Sequence, residues 1–117
     1  MNSIKSDGEA AEDIAVEYLK NAGFKVVERN YKTKWYELDI IARDNKALHF
    51  VEVKYRSSRS FGLAENYITR SKLHKLKLGA QDWVGTNNWQ DDWVIDVVAI
   101  TGKLHQDNVV FITNVTS

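Results

Sequence analysis

The chain has 117 residues with 16 basic and 16 acidic side chains, no net charge, 44% hydrophobic and 27% charged residues. That is the length of one domain (residues 1–117) and an ordinary globular composition, and a neutral chain is not a strongly basic nucleic-acid binder as a whole. The lack of cysteine excludes disulfides and thiolate metal centres. No apolar run reaches the ~20 residues of a membrane span, and the first residues carry no signal-peptide core, so a cytoplasmic protein with no membrane contact is expected.

The first element is a helix over residues 6–21. Ala11, Ile14, Ala15, Tyr18, Leu19 and Ala22 recur at helical spacing, Ser6 and Glu9 form a capping-box pattern, and Gly23 supplies the stop. Strands are predicted over residues 24–31, 35–43 and 46–55, with Asp44-Asn45 as the turn between the second and third. A second helix covers residues 69–84, carried by Leu73, Leu76, Ala80, Trp83 and Val84. After a polar loop come strands at 93–100 and 109–115. The order α-β-β-β-α-β-β describes an α/β sandwich: a mixed sheet, with a three-strand meander at its centre, flanked by helices.

Charges interrupt two of these apolar strands. Glu52 and Lys54 share one face of the third strand, because side chains alternate along it, and Asp39 breaks the second. A hairpin turning on Asp44-Asn45 pairs Asp39 with Phe50 and Glu37 with Glu52. Asp39 and Glu52 are then diagonal neighbours, roughly 7–8 Å apart at Cα. Two carboxylates so placed can share a divalent cation such as Mg²⁺, which keeps several waters and accepts phosphate oxygens. Such an ion can activate water, and a neighbouring lysine can orient that water or neutralise developing charge. The competing reading is a half-exposed hairpin with charges on its wet side. Against it, unpaired charges on a middle strand are costly, and Glu37 opposite Glu52 is repulsive unless a cation or proton intervenes.

Basic residues are unevenly spread. Lys54, Arg56, Arg59, Arg70, Lys72, Lys75 and Lys77 lie in one stretch with a single acid, Glu65; from Leu78 onward there are five acids and one base. Such a segment can form a phosphate-binding patch or a solvated helix face. Asp96, inside an apolar run, reads as a buried aspartate satisfied by backbone amides. Trp83, Trp89 and Trp93 read as packing residues rather than as platforms for bases.

Gly8-Glu9-Ala10-Ala11, Arg29-Asn30-Tyr31, Glu37-Leu38-Asp39-Ile40-Ile41-Ala42, Phe50-Val51-Glu52-Val53-Lys54-Tyr55-Arg56 and Ile95-Asp96-Val97-Val98 resemble, in order, the YraN family of small bacterial proteins. That family looks like a branch of the PD-(D/E)XK nuclease superfamily, which includes Holliday junction resolvases. The resemblance implies a restriction-endonuclease-like fold. It implies Asp39 and Glu52 as ligands of Mg²⁺ or Mn²⁺ with the Val53 carbonyl as a third, Lys54 as the catalytic lysine, and Glu9 as a helix-borne acid completing the site. The chain departs from the family pattern at Tyr36 and Val94, where glycine and arginine are usual. The expected activity is hydrolysis of phosphodiesters in DNA, branched or single-stranded. Arg56, Arg59, Arg70, Lys72, Lys75 and Lys77 would hold the backbone, and homodimerisation is left open. The alternative is a nucleic-acid-binding module of the same fold with little or no cleavage.

Overall fold

The computed structural model describes residues 5–57 and 68–116. Among them the chain forms α1 (Asp7–Asn21), β1 (Lys25–Lys32), β2 (Glu37–Arg43), β3 (Ala47–Arg56), α2 (Arg70–Thr86), β4 (Asp92–Thr101) and β5 (Val109–Ile112), with a 3₁₀ turn at Gln106–Asn108. The strands make one sheet in the order β1-β2-β3-β4-β5. β3 and β4 run parallel, and the other neighbours are antiparallel. Parallel neighbours need a long crossover, and α2 lies in that connection. The result is a mixed α/β sheet with two helices, compatible with the restriction-endonuclease-like fold. The meander forms one half of the sheet rather than its centre, and its last strand, β3, is the middle one.

The helices cover opposite faces. Ala11, Ala15 and Leu19 of α1 pack on Ile40, Ala42, Val51, Val98 and Ile100. Leu76, Ala80 and Trp83 of α2 pack on Ile41, Leu48, Phe50 and Ile95. From Ile40 to Ala42 of β2 and from Phe50 to Val51 of β3, successive residues therefore serve different cores, as strand alternation requires. This is why the middle strand reads as a nearly continuous apolar run. Leu38, by contrast, joins the α2 core although Ile40 faces α1, so the alternation breaks at Asp39.

Both helix starts follow from local chemistry. The Glu9 N–H donates to Ser6 Oγ at 3.1 Å, and the Ser6 N–H donates to Glu9 Oε1 at 3.4 Å, closing the capping box. Thr69 Oγ1 accepts the Lys72 N–H at 3.0 Å at the head of α2. Inside α2, Gly79 lets the helix approach β2: a Cβ there would lie 3.1 Å from Tyr36 Cβ and 3.3 Å from Leu38 Cδ2. Strand β5 is shorter than the expected 109–115. Asn114 adopts φ 50° and turns the backbone, after which the Val115 N–H donates to the Ile95 carbonyl at 2.8 Å.

Candidate active site at the fork between β2 and β3

The hairpin register differs from the one expected. Asp44 Oδ1 accepts the N–H groups of both Lys46 and Ala47 at 2.8 Å. Capturing two donors moves the turn centre to Asn45-Lys46. The strands then pair Arg43 with Leu48, Ile41 with Phe50 and Ile40 with Val51. This is a shift of two residues, so the paired side chains, Ile40 to Arg43 and Leu48 to Val51, keep their faces.

The paired ladder stops at Ile40–Val51, while β2 stays paired with β1 through Tyr31–Leu38 and Lys32–Glu37. β2 thus leaves β3 at Asp39 and opens a fork. Asp39 Oδ2 accepts the Val53 N–H there at 2.9 Å, in place of a ladder bond. A cavity of about 530 Å³ opens beside it, and Glu9, Glu37, Asp39, Val53 and Tyr55 are among its lining residues.

Glu52 is buried, 3% exposed. Its Oε2 lies 3.5 Å from Lys54 Nζ and 3.4 Å from Lys72 Nζ. The carboxyl groups of Asp39 and Glu52 meet across the fork. Burial, and then the hydrogen bond and charge of Glu52, push the Asp39 pKa up to about 7, against the opposing effects of the Val53 N–H and Lys72. A shared strand face was expected for Asp39, Glu52 and Lys54. Instead, the cavity is lined by Asp39, Val53 and Tyr55 and not by Glu52 or Lys54. The carboxyls come together through the gap where pairing has ended.

Among the described residues, no group of three or more His, Cys, Asp or Glu side chains is arranged to hold a metal ion. The donors at the fork are two carboxyl groups and adjacent backbone. Hard oxygen donors of this kind fit Mg²⁺ or Mn²⁺, ions that complete their shells with water and substrate oxygens.

A family model described as the uncharacterised protein family UPF0102 matches residues 11–100. The chain belongs to UPF0102, which is the YraN family. The UPF0102 protein of Cytophaga hutchinsonii is 40% identical over 96 residues, covering 82% of this chain and 85% of the relative. Those of Sulfurihydrogenibium sp. and Geotalea daltonii are each 41% identical, over 104 and 105 residues, and cover 90% and 83% of the relatives.

Several of the segments that carry the UPF0102 resemblance have structural work. Arg29 bonds Glu12 at 2.9 Å and Asp13 at 2.8 Å, and Asn30 Nδ2 donates to Glu12 Oε1 at 3.0 Å, clasping β1 to α1. Glu9 lines the cavity with Asp39 but also bonds Ser6, so the cap fixes its position. Among the described residues, the basic side chains of the run from Lys54 to Lys77 do not all line one cavity. Lys72 reaches Glu52, and Lys72 and Lys75 line a second cavity. Arg70 and Lys77 point elsewhere on α2, since residues two apart on a helix from Lys72 or Lys75 do not share its flank. Arg56 Nη1 donates to the Tyr55 carbonyl at 3.3 Å, and Arg59 lies outside the described residues. Among the described residues, no helix is long and apolar enough to cross a membrane.

His49 has a structural partner at each ring nitrogen. His49 Nδ1 lies 2.5 Å from Asp96 Oδ2, and Nε2 lies 3.1 Å from Asp44 Oδ2. Asp96 is fully buried. One of its oxygens accepts the Asn114 N–H at 2.8 Å, so a single amide and a histidine satisfy it, not amides alone. Burial alone would lower the His49 pKa; the hydrogen bonds and charges of Asp96 and Asp44 outweigh it and hold the pKa above 6.5. The signal in sequence was parity: in the parallel β3–β4 register His49 lies two residues before Val51, the partner of Asp96.

Proposed function

We propose that this protein is a metal-dependent phosphodiesterase acting on nucleic acid, with Asp39, Glu52 and Lys54 at its centre. The observation that carries this reading is the meeting of the Asp39 and Glu52 carboxyls at a strand fork, one raised to about 7 and the other held by two lysines. Carboxyls crowded in this way hold a proton or cations to offset their repulsion. The same donors suit a divalent ion.

Asp39 and Glu52 would hold Mg²⁺ or Mn²⁺, with the Val53 carbonyl as the third protein ligand. When bound, such an ion lowers the pKa of water and offsets charge on a phosphate. Lys54 stands against Glu52 with three N–H donors. It can hold the attacking water and neutralise charge as that water adds to phosphorus and one P–O ester bond breaks. Lys72 neutralises Glu52 from the helix side. Glu9 and Glu37 line the Asp39 cavity, where they can accept the proton that the attacking water loses, and the departing alkoxide takes a proton from bulk water. DNA, branched or single-stranded, is the substrate class that the family resemblance favours.

The test is purified protein with Mn²⁺ against single-stranded, duplex, flap and four-way DNA, beside a Glu52→Ala control. Cleavage that needs the ion and disappears in the variant is expected. Tight DNA binding without cleavage, together with no Mn²⁺ heat in calorimetry, would establish the binding-module alternative instead.

A further inference from the structure

We infer that Trp35 and the lysines around it form a subsite for an unpaired nucleotide next to the candidate active site, an inference that rests on the nucleic-acid reading above. Trp35 is the most exposed large hydrophobic side chain among the described residues, at 71%. It lies on the connection between β1 and β2, where Thr33 Oγ1 accepts the N–H groups of Trp35 at 3.2 Å and of Tyr36 at 3.0 Å. The Thr33 N–H donates to the Tyr36 carbonyl at 2.9 Å. The ring is thus presented by a closed turn, with Lys34 Nζ 5.1 Å from its centroid.

Beside it opens a cavity of about 340 Å³ lined by Lys32, Lys34, Trp35, Lys72 and Lys75, with Glu37 the one acid among the described residues that line it. Two of these residues tie it to the fork: Glu37 also lines the Asp39 cavity, and Lys72 bonds Glu52. A positive pocket with one exposed aromatic face fits a phosphate and a base that is not already stacked. Ammonium groups take the phosphate oxygens, and an indole face takes the base whatever its identity. Duplex ends keep their bases stacked and paired, so the subsite selects strands that are single or splayed at this position.

The experiment is fluorescence anisotropy of a labelled short oligodeoxythymidine and of a blunt duplex, in Ca²⁺ to hold cleavage off, with Trp35→Ala and Trp35→Tyr. Trp35→Ala should weaken single-strand binding by roughly 5- to 150-fold, the range for loss of one base–aromatic stack. It should leave duplex binding and the salt slope unchanged, and Trp35→Tyr should recover most of the loss. Equal single-strand affinity of wild type and Trp35→Ala overturns the subsite and leaves the nuclease reading standing. Trp35-dependent binding with no cleavage in Mn²⁺ supports the subsite and overturns the nuclease reading. Failure of the wild-type protein to bind either nucleic acid overturns both.

Discussion

Asp39 and Glu52 look alike in the sequence, two acids interrupting apolar strands, but their surroundings make them opposite in energetics. Glu52 is compensated by Lys54 and Lys72, whereas Asp39 has one N–H donor and a carboxyl for a neighbour. Its raised pKa means that the fold prefers protonated Asp39. The contribution of Asp39 to stability should therefore be greatest below pH 3.8, fall as pH rises towards about 7, and stay low above it. The interval is worth at most about 4 kcal/mol. Asp39→Asn cannot ionise and should melt at least about 1 kcal/mol more stable than wild type at pH 8 in EDTA, with little difference at pH 4. Glu52→Gln instead strands two lysines and should be no more stable than wild type. Repulsion between crowded carboxyls alone would make both variants neutral or stabilising; the two lysine contacts separate them. A stabilising effect of Glu52→Gln in thermal melts would show that those contacts contribute nothing. His49 titrates with a different meaning. Its raised pKa means that its charged bridge between Asp96 and Asp44 is fully stabilising below pH 6.5 and is lost as pH rises through the folded-state value. His49→Ala should cost about 3–5 kcal/mol at pH 6, the range for removing one partner of a buried pair, and should flatten the decline above pH 6.5. Denaturant titrations across that range check it.

The elements themselves were readable because their signals are local. Alternation, helical spacing, the Ser6–Glu9 box and Gly23 each act within a few residues, and the seven elements follow in the expected order. What was not readable depends on pairing across distance. The two-residue change of register came from Asp44, whose carboxylate captures two amides that a minimal turn would leave aside. The fork came from β2 preferring β1 over β3 beyond Ile40, which no pattern within β2 reveals. Lys72 was legible only as one charge in a basic run, since its contact with Glu52 needs α2 to be docked. Trp35 was read as the first residue of the second strand, whereas that strand begins at Glu37 and leaves Trp35 on the connection before it. Glu9 illustrates an element-scale overlap of roles: it completes the cap of α1 and lines the Asp39 cavity. Glutamine also closes a capping box. Glu9→Gln should then keep the melting temperature while weakening Mn²⁺ binding, if Glu9 completes the site as the family resemblance implies. Ser6→Ala should do the reverse, costing about 1 kcal/mol of stability with a smaller effect on Mn²⁺. Differential scanning calorimetry and Mn²⁺ titration separate the two. Loss of stability in Glu9→Gln equal to that in Ser6→Ala would mean that the acid serves the cap alone.

At the scale of the molecule, a neutral chain must approach a polyanion through local asymmetry, and a centre containing Glu37, Asp39 and Glu52 repels phosphate on its own. The lysines beside the fork offset this. They come from two parts of the chain: Lys32 at the end of β1 with Lys34 on the connection after it, and Lys72 and Lys75 from α2. The basic run in sequence identified only the second pair, and it included Lys77, which is not among the lining residues of that cavity. Replacing Lys72, Lys75 and Lys77 together by alanine should weaken nucleic-acid binding about equally for all sequences, because phosphate contacts carry no base information. Each phosphate released should flatten the dependence of log affinity on log salt by about 0.7 to 0.9. Lys77 is separated from the other two on α2, so the triple variant should lose about two such steps rather than three. Lys77→Ala alone should lose none. Lys72 differs again, since it is bonded to Glu52 and its loss also alters the centre. Lys75→Ala should therefore lower affinity without changing the rate at saturating substrate, whereas Lys72→Ala should change both. Salt titrations of binding, followed by turnover at saturation, distinguish these outcomes. A salt slope unchanged in the triple variant would place the nucleic-acid surface elsewhere on the protein.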